Sequence, residues 1–133
     1  MKNNSENREY VNANQNCIKQ CNLCIQSCKN VIDAIDNKDN NIRKTIEQTV
    51  SQCHQTAKFM EQYIKAAKYE LEFNKKIDTE ELQESISKAG SVVKKCGEII
   101  KFSGAVDKNL TDACSDCMEI CDELLESCEN ILG

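Results

Sequence analysis

Residues 17–28 read CIKQCNLCIQSC, with Cys17, Cys21, Cys24 and Cys28 at spacings of four, three and four. On an α-helix that alternation returns to one face at every step, so the four thiols form a stripe. The rhythm continues through Val31 and Ile35. It predicts a helix from about Glu9 to Asp36, closed by DNKDNN (residues 36–41), whose Asp and Asn residues suit a turn.

Working outward, three more segments keep the same step. One carries Ile46, Val50, Cys53, Ala57, Met60, Ile64, Ala67 and Leu71, predicting a helix over about 40–74 that starts near Asp39 or Asn40. The next carries Leu82, Ile86, Ala89, Val93, Cys96, Ile100 and Ser103 over about 79–103. Asp78 is its expected N-cap with Glu81 three positions on, and Gly104 its expected stop. The last carries Leu110, Cys114, Cys117, Cys121, Leu124, Cys128 and Ile131 over about 107–131, with Asp107 as cap. Short links favour antiparallel neighbours. The expectation is therefore an all-α fold, an antiparallel up-down-up-down four-helix bundle forming a single domain over residues 1–133, with the first and last helices side by side.

Composition agrees. The chain has 133 residues, no Pro, no Trp, four Gly, three Phe and three Tyr, which disfavours a turn-rich β protein and is long enough for a core without disulfides or metal. The start, MKNNSENREY, lacks the apolar run of a secretion signal, and nowhere do eighteen apolar residues follow one another. The expected location is cytoplasmic, with no membrane partner. A net charge of -5 without a concentrated basic patch argues against nucleic acid. No nucleophile–base pair, phosphate loop or paired-carboxylate site stands out, so no enzyme is expected. Gly90, Gly97 and Gly104 recur every seven residues. The first two each cost about 1 kcal/mol in a helix relative to Ala, which close approach of another helix, in the bundle or from a second protomer, would offset.

All ten cysteines fall on the predicted stripes. A single seam cysteine is most simply a small core residue, but Ala or Val would pack as well at ten positions without the risk of oxidation. Neighbours three or four apart on one helix are poorly placed for disulfides, and a reducing compartment disfavours bridges between helices. Thiolate sites select Cu(I), zinc or iron–sulfur clusters. A closed zinc site of Cys21, Cys24, Cys114 and Cys117 leaves six thiols unexplained. An iron–sulfur cluster also needs four thiolates, and the spacing here does not match ferredoxin runs. Cu(I) accepts few ligands and shares bridging sulfurs, which suits a column of thiols. Counted along the axis, Cys28, Cys96 and Cys114 lie lowest, then Cys24, Cys53 and Cys117, then Cys21 with Cys121, and finally Cys17 with Cys128. Eight of the ten come from the first and last helices, opposite a wall of Ile, Val, Leu, Ala and Met.

The cysteine-dense first helix, CIKQCNLCIQSC, and the matching last helix, CSDCMEICDELLESC (residues 114–128), resemble the bacterial copper storage proteins, specifically their cytosolic branch, over residues from about 9 to 132. The resemblance implies a bundle that stores several Cu(I) ions on inward-facing thiolates, as a homo-oligomer such as a tetramer, with copper ions and a small CxxC copper chaperone as partners. Carried over by position, the ligands are Cys17, Cys21, Cys24, Cys28, Cys53, Cys96, Cys114, Cys117, Cys121 and Cys128. His54, the one histidine of the chain, follows Cys53 at the edge of the seam and is a further candidate. Met60 and Met118 are thioethers near the column, read chiefly as core filler. Two departures stand out: the second and third helices carry one cysteine each, where the family is richer, and Leu124 stands where the rhythm calls for another thiol. Capacity should be lower, or the metal should differ. The alternative is a bundle holding an iron–sulfur cluster or a Zn(Cys)4 site in an electron-transfer or structural role.

Overall fold

A computed structural model of the chain describes the backbone of residues 4–36, 42–73, 79–103 and 107–132, and the side chains of 11–36, 42–73, 79–102 and 107–131. It holds four helices, α1 (Asn4–Asp36), α2 (Arg43–Glu72), α3 (Thr79–Ser103) and α4 (Lys108–Leu132). Each packs against two neighbours in a ring, α1 on α2, α2 on α3, α3 on α4 and α4 back on α1. The fold is an all-α four-helix bundle. Among the described residues, no helix is long and apolar enough to cross a membrane.

Local chemistry accounts for several helix ends. Asp107 caps α4: its carboxylate accepts from the Leu110 N–H at 3.1 Å, while its carbonyl accepts from the Thr111 N–H. Glu80 and Glu81 sit in the first turn of α3, where the helix dipole favours acidic groups. By contrast α2 starts after Ile42 with no side-chain cap bond. The caps expected at Asp39 or Asn40, Asp78 and Gly104 lie outside the described residues. The helix expected from Glu9 begins at Asn4 instead, since good helix formers such as Glu6 and Arg8 carry it past the end of the seam.

In α1 and α4 the seam is as expected except at Ile131, which is only partly buried, with Cys17, Cys21, Cys24, Cys28, Val31 and Ile35 buried against Leu110, Cys114, Cys117, Cys121, Leu124 and Cys128. In α2 and α3 the stripe is turned. The buried positions of α2 are Ile46, Thr49, Cys53, Thr56, Met60, Tyr63, Ile64 and Ala67, so Val50, Ala57 and Leu71 are only partly buried. In α3, Ser85, Val92 and Ile99 are buried in place of the expected Ile86, Val93 and Ile100. Each seam residue has neighbours at both three and four positions on, and the choice between them is made by how helices face one another. The hydroxyls taken inside are partly satisfied at home. Thr49 donates to the Thr45 carbonyl at 2.8 Å and Ser85 to the Glu81 carbonyl at 3.0 Å, so their burial costs little. On the surface Lys88 donates to Gln55 and Lys95 to Gln48. Both bonds step by seven on each helix, tying α2 and α3 in one antiparallel register.

No close approach explains the two described glycines of α3. A Cβ on Gly90 would meet nothing within 4 Å, and one on Gly97 would sit in ordinary contact, 3.8 Å from the Met118 methyl carbon. Gly90→Ala should therefore raise stability by about 1 kcal/mol, its helix-propensity cost, as measured by chemical denaturation of the metal-free, reduced protein. That protein should melt cooperatively as a helical domain in circular dichroism, because Leu82, Val92, Ile99, Met60 and Leu110 are buried whether or not the thiols carry metal.

Candidate metal centre

Helix α1 presents four thiols because its seven-residue repeat places Cys17 with Cys24, and Cys21 with Cys28, on two adjacent lines of one face. Helix α4 presents Cys114, Cys117, Cys121 and Cys128 by the same repeat. All ten thiols are free and buried, nine with no exposed surface and Cys128 with 1%. The Cys17 and Cys128 sulfurs lie 3.6 Å apart, and those of Cys24 and Cys121 lie 3.5 Å apart. Cys28 interacts with Cys117 and with Cys53, and Cys96 with Cys114 and Cys117. At a rise of about 1.5 Å per residue, the thiols of α4 extend over about 20 Å.

The pairs fix the register. Cys17 with Cys128, Cys24 with Cys121 and Cys28 with Cys117 are matched steps of seven and then four along antiparallel helices. This shifts the expected layering: Cys121 meets Cys24 rather than Cys21, and Cys117 meets Cys28 rather than Cys24. The same register sets Leu124 across from Cys21. The column thus has a small group of Cys17, Cys21 and Cys128 beyond Leu124 and a larger group of the remaining seven thiols. Among the described residues, no three His, Cys, Asp or Glu side chains converge into a ready-made metal site; the thiols meet as pairs and branched chains. With a metal–sulfur bond of about 2.3 Å, an ion held linearly between two sulfurs would need them about 4.6 Å apart, so each close pair would have to open by about 1 Å to take one.

Three thiols are acidified by the hydrogen bonds they accept. Cys17 is held down to about 4, chiefly by Cys128 and then by Cys21, against the opposing effect of burial. Cys24 is held down to about 5 by Cys121 and then Cys28. Cys117 is lowered by Cys121, Cys28 and Cys96. The donors shift the other way: Cys21 and Cys128 are raised by their bond to Cys17, Cys28 and Cys121 by theirs to Cys117, and Cys96 by its bond to Cys114, with burial adding to each. Ionised sulfurs are thus ringed by sulfurs that keep their protons: a cation held by an ionised sulfur would offset its charge in a medium where net charge is costly, and a monovalent cation that displaced a proton would leave the charge as it was.

Several polar groups were not singled out by the sequence. Tyr63 donates to Asn14 Oδ1 at 3.3 Å and also bonds Cys17; burial is the main reason its phenol is pushed up. Asn14 is fully buried, and its Nδ2, like the Thr56 hydroxyl, has no hydrogen-bond partner among the described residues. Ser27, 3% exposed, donates to the Cys24 carbonyl at 2.9 Å and to Cys117 Sγ at 3.5 Å. Asn14 and Tyr63 could have been found by extending the three–four rhythm backward from Cys17 and forward from Cys53. Ser27 lies off that rhythm. His54 is exposed on α2, so the structure does not bring it into the column. Met60 is fully buried in the core and Met118 partly so, against Gly97.

Ten cysteines in close proximity inside a helical bundle point to metal binding. The protonation pattern of the metal-free thiols has its own test. Above the ordinary thiol value of 9.0, unfolded thiols ionise while Cys21, Cys28, Cys96, Cys121 and Cys128 hold their protons in the bundle. The acidified thiols are ionised in both states there and contribute no slope. The unfolded chain therefore binds fewer protons than the folded one, and stability falls as pH rises, by at most about 1.4 kcal/mol per pH unit for each such thiol. Thermal melts of metal-free, reduced protein should show a falling melting temperature above pH 9.0.

Comparison of the chain with protein-family models, curated proteins and solved structures gave no match.

Proposed function

We propose that this bundle sequesters several Cu(I) ions on its column of cysteine thiolates, loaded and unloaded by ligand exchange without catalytic turnover. The observation that carries this reading is that the ten buried thiols form an extended set of close pairs rather than one converging group of four. A two-coordinate, sulfur-bridged ion needs only neighbouring thiols, and soft thiolates favour Cu(I). A Zn(Cys)4 or iron–sulfur site needs four thiolates around one centre and would leave most of the column without a role. On this reading the cargo binds with release of thiol protons, so apparent affinity weakens as pH falls. The protein works in the cytoplasm and exchanges copper with a small CxxC chaperone, as an oligomer of bundles such as a tetramer. His54, being exposed, would act outside the column, in passing the ion rather than storing it.

Anaerobic titration of fully reduced protein with Cu(I) against a competing chelator should show several ions per chain, with sulfur-to-copper bands in the ultraviolet and no visible colour. Saturation at one ion or fewer would end the proposal, and a brown protein or one tightly held zinc would favour the alternatives. Leu124→Cys should raise the saturating stoichiometry, because it joins the Cys17, Cys21 and Cys128 group to the rest of the column. The same substitution in a protein storing no copper would change nothing but stability.

A further inference from the structure

The walls of the column are not equally thick. One flank of the α1 seam carries Ile18 and Ile25, both buried, and Ile32, partly so. The other flank repeats Ala13, Gln20, Ser27 and Ala34 at intervals of seven, all small or polar. At Ser27 this flank meets a groove between α1 and α4 of about 490 Å³, lined by Leu23 and Ser27 from one helix and Asp116, Glu119, Ile120 and Glu123 from the other, among others. The three carboxylates are exposed, and among the described residues no Lys or Arg lines the groove.

Ser27 is where the groove meets the column. It lines the groove, it is nevertheless 3% exposed, and its hydroxyl reaches Cys117 Sγ at 3.5 Å while also bonding the Cys24 carbonyl at 2.9 Å. One small side chain therefore separates a carboxylate-bearing surface groove from a thiol with three cysteine neighbours, Cys28, Cys96 and Cys121. The hydroxyl has one proton for two acceptors and can give it wholly to the nearer carbonyl, so uncovering Cys117 sacrifices only the longer and weaker contact. Carboxylates around a concave surface raise the local concentration of cations.

We propose that this groove is a lateral port through which Cu(I) reaches Cys117, with Ser27 as its gate. The proposal rests on the storage reading. The ion gathers among Asp116, Glu119 and Glu123, passes Ser27, and exchanges its outer ligands for Cys117 and a neighbouring thiolate as thiol protons leave. Filling then spreads both ways from the middle of the column, toward Cys96 and Cys114 and toward Cys24 and Cys121.

The test is the rate of loading, followed anaerobically by stopped-flow absorbance with Cu(I) supplied as its acetonitrile complex. Ser27→Val replaces the hydroxyl with a methyl group and adds a second, so a bulkier apolar side chain blocks the gate. It should load about tenfold more slowly, as expected for loss of one polar contact in the rate-limiting passage, at unchanged stoichiometry. Neutralising the rim with Asp116→Asn, Glu119→Gln and Glu123→Gln together, all at exposed positions that leave the core intact, should slow loading by about tenfold at low salt and remove its salt dependence. A Ser27→Val protein that takes up its full complement at the wild-type rate overturns the port and leaves storage standing. If Ser27→Val does not fold, the rim variant decides: slowed loading supports the port, and wild-type kinetics with wild-type salt dependence overturn it. A wild-type chain that takes up no more than one ion overturns both the port and storage.

Discussion

The antiparallel register of α1 against α4 governs the rest of the molecule. Cys17 pairs with Cys128, Cys24 with Cys121 and Cys28 with Cys117, and these contacts can coexist only because both helices step by seven and then four. Two helices that keep a seven-residue repeat stay in contact by coiling slightly around each other, so the seam does not drift off the axis. A shift of one residue along the helices would put Lys29 or Glu129 toward the core in place of sulfur. The register also decides that Leu124 faces Cys21, which makes the sulfur column uneven along its length.

The other two helices close the column from the opposite side. Their contribution is one thiol each, together with Leu82, Val92, Ile99, Met60 and Ala67, and with Thr49, Thr56 and Ser85, whose hydroxyls are buried. Placing most of the sulfur on one pair of helices and most of the hydrocarbon on the other separates two requirements. The hydrocarbon holds the bundle when the thiols carry only protons, and the sulfurs are then free to exchange partners. Within the sulfur column, charge is kept low by alternation: Cys17, Cys24 and Cys117 give up protons more readily because their neighbours do not. A monovalent cation that replaces a proton leaves the buried charge unchanged, so many can enter without the desolvation cost that a set of uncompensated charges would bring.

Much of this was legible in the sequence. The alternation of fours and threes predicted four helices, their order and the inward aspect of every cysteine, because helical periodicity is a property of the local chain. What failed was the choice between neighbouring lines on α2 and α3. Val50 and Ile86 looked better suited to the seam than Thr49 and Ser85, yet a small hydroxyl that bonds its own helix is cheap to bury. The layering of the thiols was also shifted, since residue counts from a turn do not specify how the turn sets one helix against the next. Ser27 carried no signal at all, being an ordinary serine one position off the seam.

The sequence by itself determined that ten thiols point into a four-helix bundle, because each cysteine's direction follows from its place in a repeat of about 3.6 residues per turn. Only the tertiary structure decided which thiols meet, which of them lose their protons, and where the column comes nearest to the surface. Those depend on distances of a few ångströms between side chains some 90 or more positions apart, such as Ser27 and Cys117, and such distances are set by helix against helix.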